Sequence, residues 1–68
     1  MTHIGYMIIK QKKCLNLYLF SKDIHELEEA LEEDMSPAAR KDCRIVPCLK
    51  DNNGSTFLDI DNKLVRIS

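Results

Sequence analysis

The 68-residue chain is 44% hydrophobic and 31% charged, with a formal net charge of -1. That balance suits one globular domain and excludes a disordered chain, and the near-neutral charge argues against a general nucleic-acid or membrane-surface binder. A domain of this size hides only about 60% of the surface its unfolded chain exposes, so a thin core and no deep substrate cavity are expected.

No apolar run approaches the roughly 18 residues of a membrane helix. The opening MTHIGYMIIK has neither a basic n-region nor a small-residue cleavage site, so no signal peptide is expected. Cys14, Cys43 and Cys48 are an odd number, unlike a secreted disulfide framework, and fit a reducing compartment. The expected location is cytoplasmic.

IGYMIIK and CLNLYLF read as two strands joined at KQKK, which lacks the Gly or Asn of the tightest turns and predicts a four-residue loop. Leu15, Leu17 and Leu19 alternate with Cys14, Asn16, Tyr18 and Phe20, the period of a strand with one buried face, and the leucines are assigned to the core. Asp23 then predicts a helix N-cap, with Glu26 completing a capping box. Ile24, Leu27, Leu31 and Met35 share one helical stripe with Ala30 beside it, and should rest on the hairpin's leucine face. Ser36 and Pro37 predict a second, short helical turn.

RIVPCLK returns to a strand pattern, with Pro47 indicating an edge or a bulge. DNNG is the strongest turn signal. STFLDI, a second turn at Asp61-Asn62, and KLVRI complete the chain. The expected fold is a single α+β domain: an N-terminal β-hairpin, one amphipathic acidic helix, then two or three antiparallel strands, ββαββ(β).

HELEEALEED places six carboxylates in ten residues with no Lys or Arg. Glu26, Glu29 and Glu33 fall opposite the apolar stripe, with Glu28, Glu32 and Asp34 on its flanks. Without a basic residue at i+4 these charges repel, by a few tenths of a kcal/mol per close pair. Asp34 also sits near the helix C-terminus, where the dipole disfavours an anion. The plain reading is a solvated face that keeps a small protein soluble, or one answered by Lys41 or Arg44 folding back. The functional reading is a docking face for a basic protein partner, with Glu26, Glu29, Glu32 and Glu33 as contact residues. Mimicry of a phosphate backbone is a variant of it.

A second candidate is the basic tip. Lys10, Lys12, Lys13 and Arg44 supply phosphate-neutralising charge, and Tyr18 and Phe20 would stack bases if they shared an exposed sheet face. The acidic helix opposes that reading. Cys43 and Cys48 lie at the edge of zinc-knuckle spacing, but no second ligand pair follows, so neither a metal nor any other cofactor is expected. DNNGSTFLDID fails as a calcium loop: with Gly54 at the sixth position, Leu49 and Ile60 fall where carboxylates belong. No catalytic motif is visible and no enzyme is expected. Open sheet edges and a thin core favour association, so a homodimer is considered. The expected function is non-enzymatic protein binding, regulatory or inhibitory, and the pattern also suits a phage or mobile-element product that blocks a host factor.

Overall fold

The computed structural model describes residues 1–11 and 13–68. The class is α+β. Five strands form one antiparallel sheet: β1 (Thr2–Gln11), β2 (Leu15–Ser21), β3 (Cys43–Lys50), β4 (Thr56–Ile60) and β5 (Lys63–Arg66), with α1 (Ile24–Glu33) and α2 (Pro37–Arg40) inserted between β2 and β3. The spatial order is β2-β1-β3-β4-β5, so β2 and β5 are the edges.

The turns follow their local chemistry. Asp61 and Asn62 both take positive φ, at 54° and 66°, which is the two-residue geometry that matches the twist of a hairpin. At the DNNG turn the Asp51 carboxylate accepts hydrogen bonds from the N–H groups of Asn53 (2.9 Å) and Ser55 (2.8 Å), and Gly54 supplies a φ of 84°. Ser36 caps α2 by accepting from the Ala39 N–H at 3.2 Å, with Pro37 at its first position.

The start of α1 departs from a simple capping box. Asp23 accepts from the His25 N–H at 2.9 Å, as an N-cap does. The Asp23 N–H, however, donates to the Ser21 hydroxyl at 3.0 Å, and that hydroxyl donates to the Glu26 carboxylate. The reciprocal bond is relayed through Ser21, which ties the end of β2 to the first turn of α1.

The sheet is apolar on both faces, and two bulges in the β1 ladders decide which residue goes where. Ile9, Val46, Cys48, Leu58 and Ile60 form one buried cluster, with Met7, Ile4, Leu15, Val65 and Ile67 packed against it. Ile8 and Leu27 are fully buried outside that cluster. Neighbours on a strand point to opposite faces, so Ile8 looks away from Ile9. The α1 helix packs across β1, β2 and β3, and Leu27 is its buried residue. Cys43, whose cross-strand partner is Lys10 on the Ile8 side, donates its S–H to the Ala39 carbonyl of α2 at 3.3 Å. The helices therefore cover the Ile8 face, and the main cluster lies on the other.

This arrangement overturns the assignment of the hairpin leucines to the core beneath the helix. Leu17 is 43% and Leu19 45% exposed, and only Leu15 is half-buried against the cluster. Two causes act together. The β2 strand is an edge, with one neighbour. The β1–β2 register also slips, so that Ile8 faces Leu19 while Ile9 faces Leu17. Tyr18 is the extra residue of a bulge, and beyond it the alternation inverts. Leu19 shares the helix face with Ile8, and Leu17 the cluster face with Ile9.

Smaller corrections follow the same logic. Lys10 and Gln11 belong to β1 rather than to the KQKK loop, and Cys14 lies before β2, which begins at Leu15. Pro47 sits in the middle of the sheet, not on an edge strand. It nevertheless falls where β3 is paired on one side only, because the β3–β4 ladder begins at Cys48.

Candidate protein-binding face

The helix α1 sets the geometry of the acidic face. Leu27 is fully buried, and Ile24, Ala30, Leu31 and Met35 are half-buried, so the apolar stripe points at the sheet as its spacing requires. Glu26, Glu28, Glu29, Glu32, Glu33 and Asp34 are all exposed. The structure thus brings Glu29, Glu32 and Glu33 onto one outward surface, with Glu26 at its start engaged by the Ser21 hydroxyl.

Among the described residues, His25 Nδ1 lies 3.8 Å from a Glu28 carboxylate oxygen within the helix, and Arg44 forms an ion pair with Asp61 at 3.0 Å. Neither Lys41 nor Arg44 folds back onto α1. The carboxylates of Glu29, Glu32 and Glu33 face solvent without a described basic partner, and the last turn of α1 has no basic residue to answer the dipole.

Of the basic candidates, Lys10, Lys13 and Arg44 fall among the described residues. Lys12 lies outside the described residues. Lys13 is exposed in the hairpin loop, while Lys10 lines a cleft on the helix face. Arg44 is occupied: its guanidinium donates to both Asp61 carboxylate oxygens, at 3.0 and 3.1 Å, and to Gln11 Oε1 at 3.2 Å. The fork binds the carboxylate bidentately and bridges β1 to the β4–β5 turn across the cluster face. Tyr18 and Phe20 do not share a face. Tyr18 lines the helix-side cleft, while Phe20 lies opposite Met7 on the cluster face with its ring over Gly5. A stacking platform of the two aromatics is not formed.

The Arg44 pair also shifts both partners. The Asp61 carboxyl is held below the ordinary carboxylate range, first by the hydrogen bonds from Arg44, then by its charge and that of Lys63, and Arg44 is pushed up by the same bonds. A carboxyl with a lowered folded-state pKa contributes stability above its unfolded pKa and loses it as pH falls through the folded value. Asp61→Asn keeps a residue that tolerates positive φ and removes the charge. Its stability deficit relative to the wild type should be present at neutral pH and close as the pH drops below the ordinary carboxylate range. Urea melts of both proteins from pH 7 to pH 2 check this; a deficit that stays constant with pH would contradict it.

The cleft has a volume of about 350 Å³, lined by Lys10, Tyr18, Asp34, Met35, Ser36, Ala39 and Cys43. It lies on the helix face, where the end of α1 and α2 meet β1, β2 and β3. The cysteines are dispersed. Cys48 is in the buried cluster, where burial pushes its thiol pKa up; Cys43 is half-buried against α2; and Cys14 is exposed in the hairpin loop. Among the described residues no three His, Cys, Asp or Glu side chains come together as a metal-ligand set. Among those residues, too, no helix is long and apolar enough to cross a membrane.

No family model, curated protein or solved structure matches the chain.

The feature that residue types alone missed is β2. Leu17, Tyr18, Leu19 and Phe20 are four consecutive large apolar residues, each 42–51% exposed. Runs of this kind on a surface mark an interaction site or an aggregation hazard. The signal was present in the sequence: LNLYLF carries no charged residue and no Pro, the usual guards of an edge strand.

Proposed function

We propose that this chain is a small, non-enzymatic protein-binding module with a regulatory or inhibitory role, which docks a basic surface of another protein on the outward face of α1. Glu29, Glu32 and Glu33 supply the contact charge, and Glu26 contributes from the first turn while it holds the helix start. The supporting observation is that these carboxylates stand exposed on one helix face with no described Lys or Arg to balance them. Holding such a face costs helix stability through like-charge repulsion and an unfavourable dipole end. A complementary basic surface would relieve both, and would speed encounter and set orientation more than it adds affinity. A cytoplasmic setting belongs to this reading, because Cys14, Cys43 and Cys48 are all free thiols.

The test is capture of partners from nuclease-treated lysate by the wild type and by Glu29→Lys/Glu33→Lys, across a salt series. Both positions are exposed, so the variant should fold. The expected result is a protein retained by the wild type, released by rising salt and absent with the variant. Equal retention by both chains would remove the acidic face from the function. Retention that vanishes on nuclease treatment would instead favour a nucleic-acid reading through Lys10 and Lys13.

A further inference from the structure

We infer that the exposed edge strand β2 is a self-association surface, and that a second copy of this chain pairs with it antiparallel about a twofold axis between Tyr18 and Leu19. The two sheet edges are treated differently. The β5 edge is four residues long, and two of them are basic. The β2 edge is seven residues without a charge, and four of its side chains expose large apolar surface.

The occupant follows from the bulge. Cross-strand partners in a sheet share a face, so a strand that pairs with its own copy must read the same face pattern in both directions. Regular alternation about a point between two residues fails this condition. The bulge at Tyr18 repairs it. From the register, Asn16 and Ser21 lie on the helix face, through Lys10 and Tyr6, and Leu17 and Phe20 on the cluster face, through Ile9 and Met7. Tyr18 and Leu19 both lie on the helix face. The pattern is therefore palindromic. Leu17 meets Phe20 of the second copy, Tyr18 meets its Leu19, and Asn16 meets its Ser21. Apolar groups meet apolar groups at the centre, and polar groups meet at the ends.

Charge agrees with the same register. The N-terminal end of β2 adjoins the loop bearing Lys13, and its C-terminal end adjoins Lys22 and then the carboxylates of Asp23 and Glu26 at the start of α1. Antiparallel pairing sets the basic loop of each copy beside the acidic helix start of the other. Both helices then lie on one face of a continuous sheet, with their outward carboxylates clear of the dyad.

The experiment is sedimentation equilibrium of the purified full chain from about 1 µM to about 1 mM. The expected result is a monomer–dimer equilibrium that Leu17→Lys and Leu19→Lys each shift to monomer while circular dichroism stays native. In a Cys14→Ser background, Leu19→Cys should give a covalent dimer under mild oxidation, and Asn16→Cys, far from the axis, should not. A wild type that is monomeric at about 1 mM would overturn the proposal, as would a dimer insensitive to both β2 lysines. Cross-linking at position 16 but not 19 would overturn the register. A monomer whose β2 variants lose a foreign strand-bearing partner would give the edge to another protein and overturn self-pairing.

Discussion

Replacing Leu58 by alanine should lower the unfolding free energy by about 3–5 kcal/mol, the upper part of the range for a buried Leu→Ala change. Leu58 is fully buried at the centre of the main cluster. Its cross-strand neighbours are Cys48 on one side and Val65 on the other, so both flanks are held by backbone ladders and collapse poorly around a void. A domain of 68 residues has a total stability of about 3–10 kcal/mol at ordinary values per residue. The loss is of the same order as the whole, and the variant should be largely unfolded at 37 °C. Urea denaturation should show the midpoint collapsing, with the slope unchanged if it remains two-state. Leu64→Ala, at a residue that is 51% exposed on β5, is the control and should shift the midpoint little. Equal effects at Leu58 and Leu64 would mean that the cluster face is not the core.

The second large effect is expected at Gly5, from close approach. A Cβ added there would lie 2.6 Å from two atoms of the Phe20 ring and 2.8 Å from the Ser21 carbonyl oxygen. The ring is partly exposed and can swing away, which alone would make the change inexpensive. The carbonyl belongs to backbone, and Ser21 pairs with Tyr6 in the β1–β2 ladder, so it moves only if the edge strand moves. Gly5→Ala should therefore cost about 2–3 kcal/mol, the upper part of the overpacking range. Adding Phe20→Ala should recover only part of the loss, because the carbonyl contact remains. Full recovery would assign the effect to the ring alone, and wild-type stability in Gly5→Ala would contradict the close approach of β1 and β2. Ser21 also relays the α1 cap, so amide exchange in the first turn of α1 should quicken in Gly5→Ala.

Local chemistry made much of this fold legible. The positive-φ pair Asp61-Asn62, the Asp51 turn, the Ser36-Pro37 start and the Ile24-Leu27-Leu31-Met35 stripe each follow from side chains within a few residues of one another. The class, a helix packed on an antiparallel sheet, follows from their order. What was not legible depended on partners distant in sequence. Period-two leucines in β2 specify a buried face only where a strand has neighbours and an unbroken register, and β2 has one neighbour and a bulge. The sheet's second apolar face was hidden because Ile8 and Ile9, adjacent in sequence, serve opposite sides. Arg44 reads as a free cation until Asp61 is placed beside it by the β4–β5 turn.

The same division holds for the binding surfaces. The acidic face was legible because helical periodicity alone puts Glu26, Glu29 and Glu33 opposite the apolar stripe, with Glu32 on its flank. The β2 surface was not, because its exposure comes from strand order. The basic residues looked like a group in the sequence, but the fold binds Arg44 to a carboxylate and turns Lys10 toward the helix-side cleft.

The most direct measurement of the acidic-face account is the association rate of the captured partner with the wild type and with Glu29→Lys/Glu33→Lys, as a function of ionic strength. If complementary charge on α1 guides docking, the wild-type rate should fall steeply with added salt, and the variant at low salt should associate at least about tenfold more slowly. Rates that coincide at every ionic strength would contradict it and leave the helix face as a solvated surface.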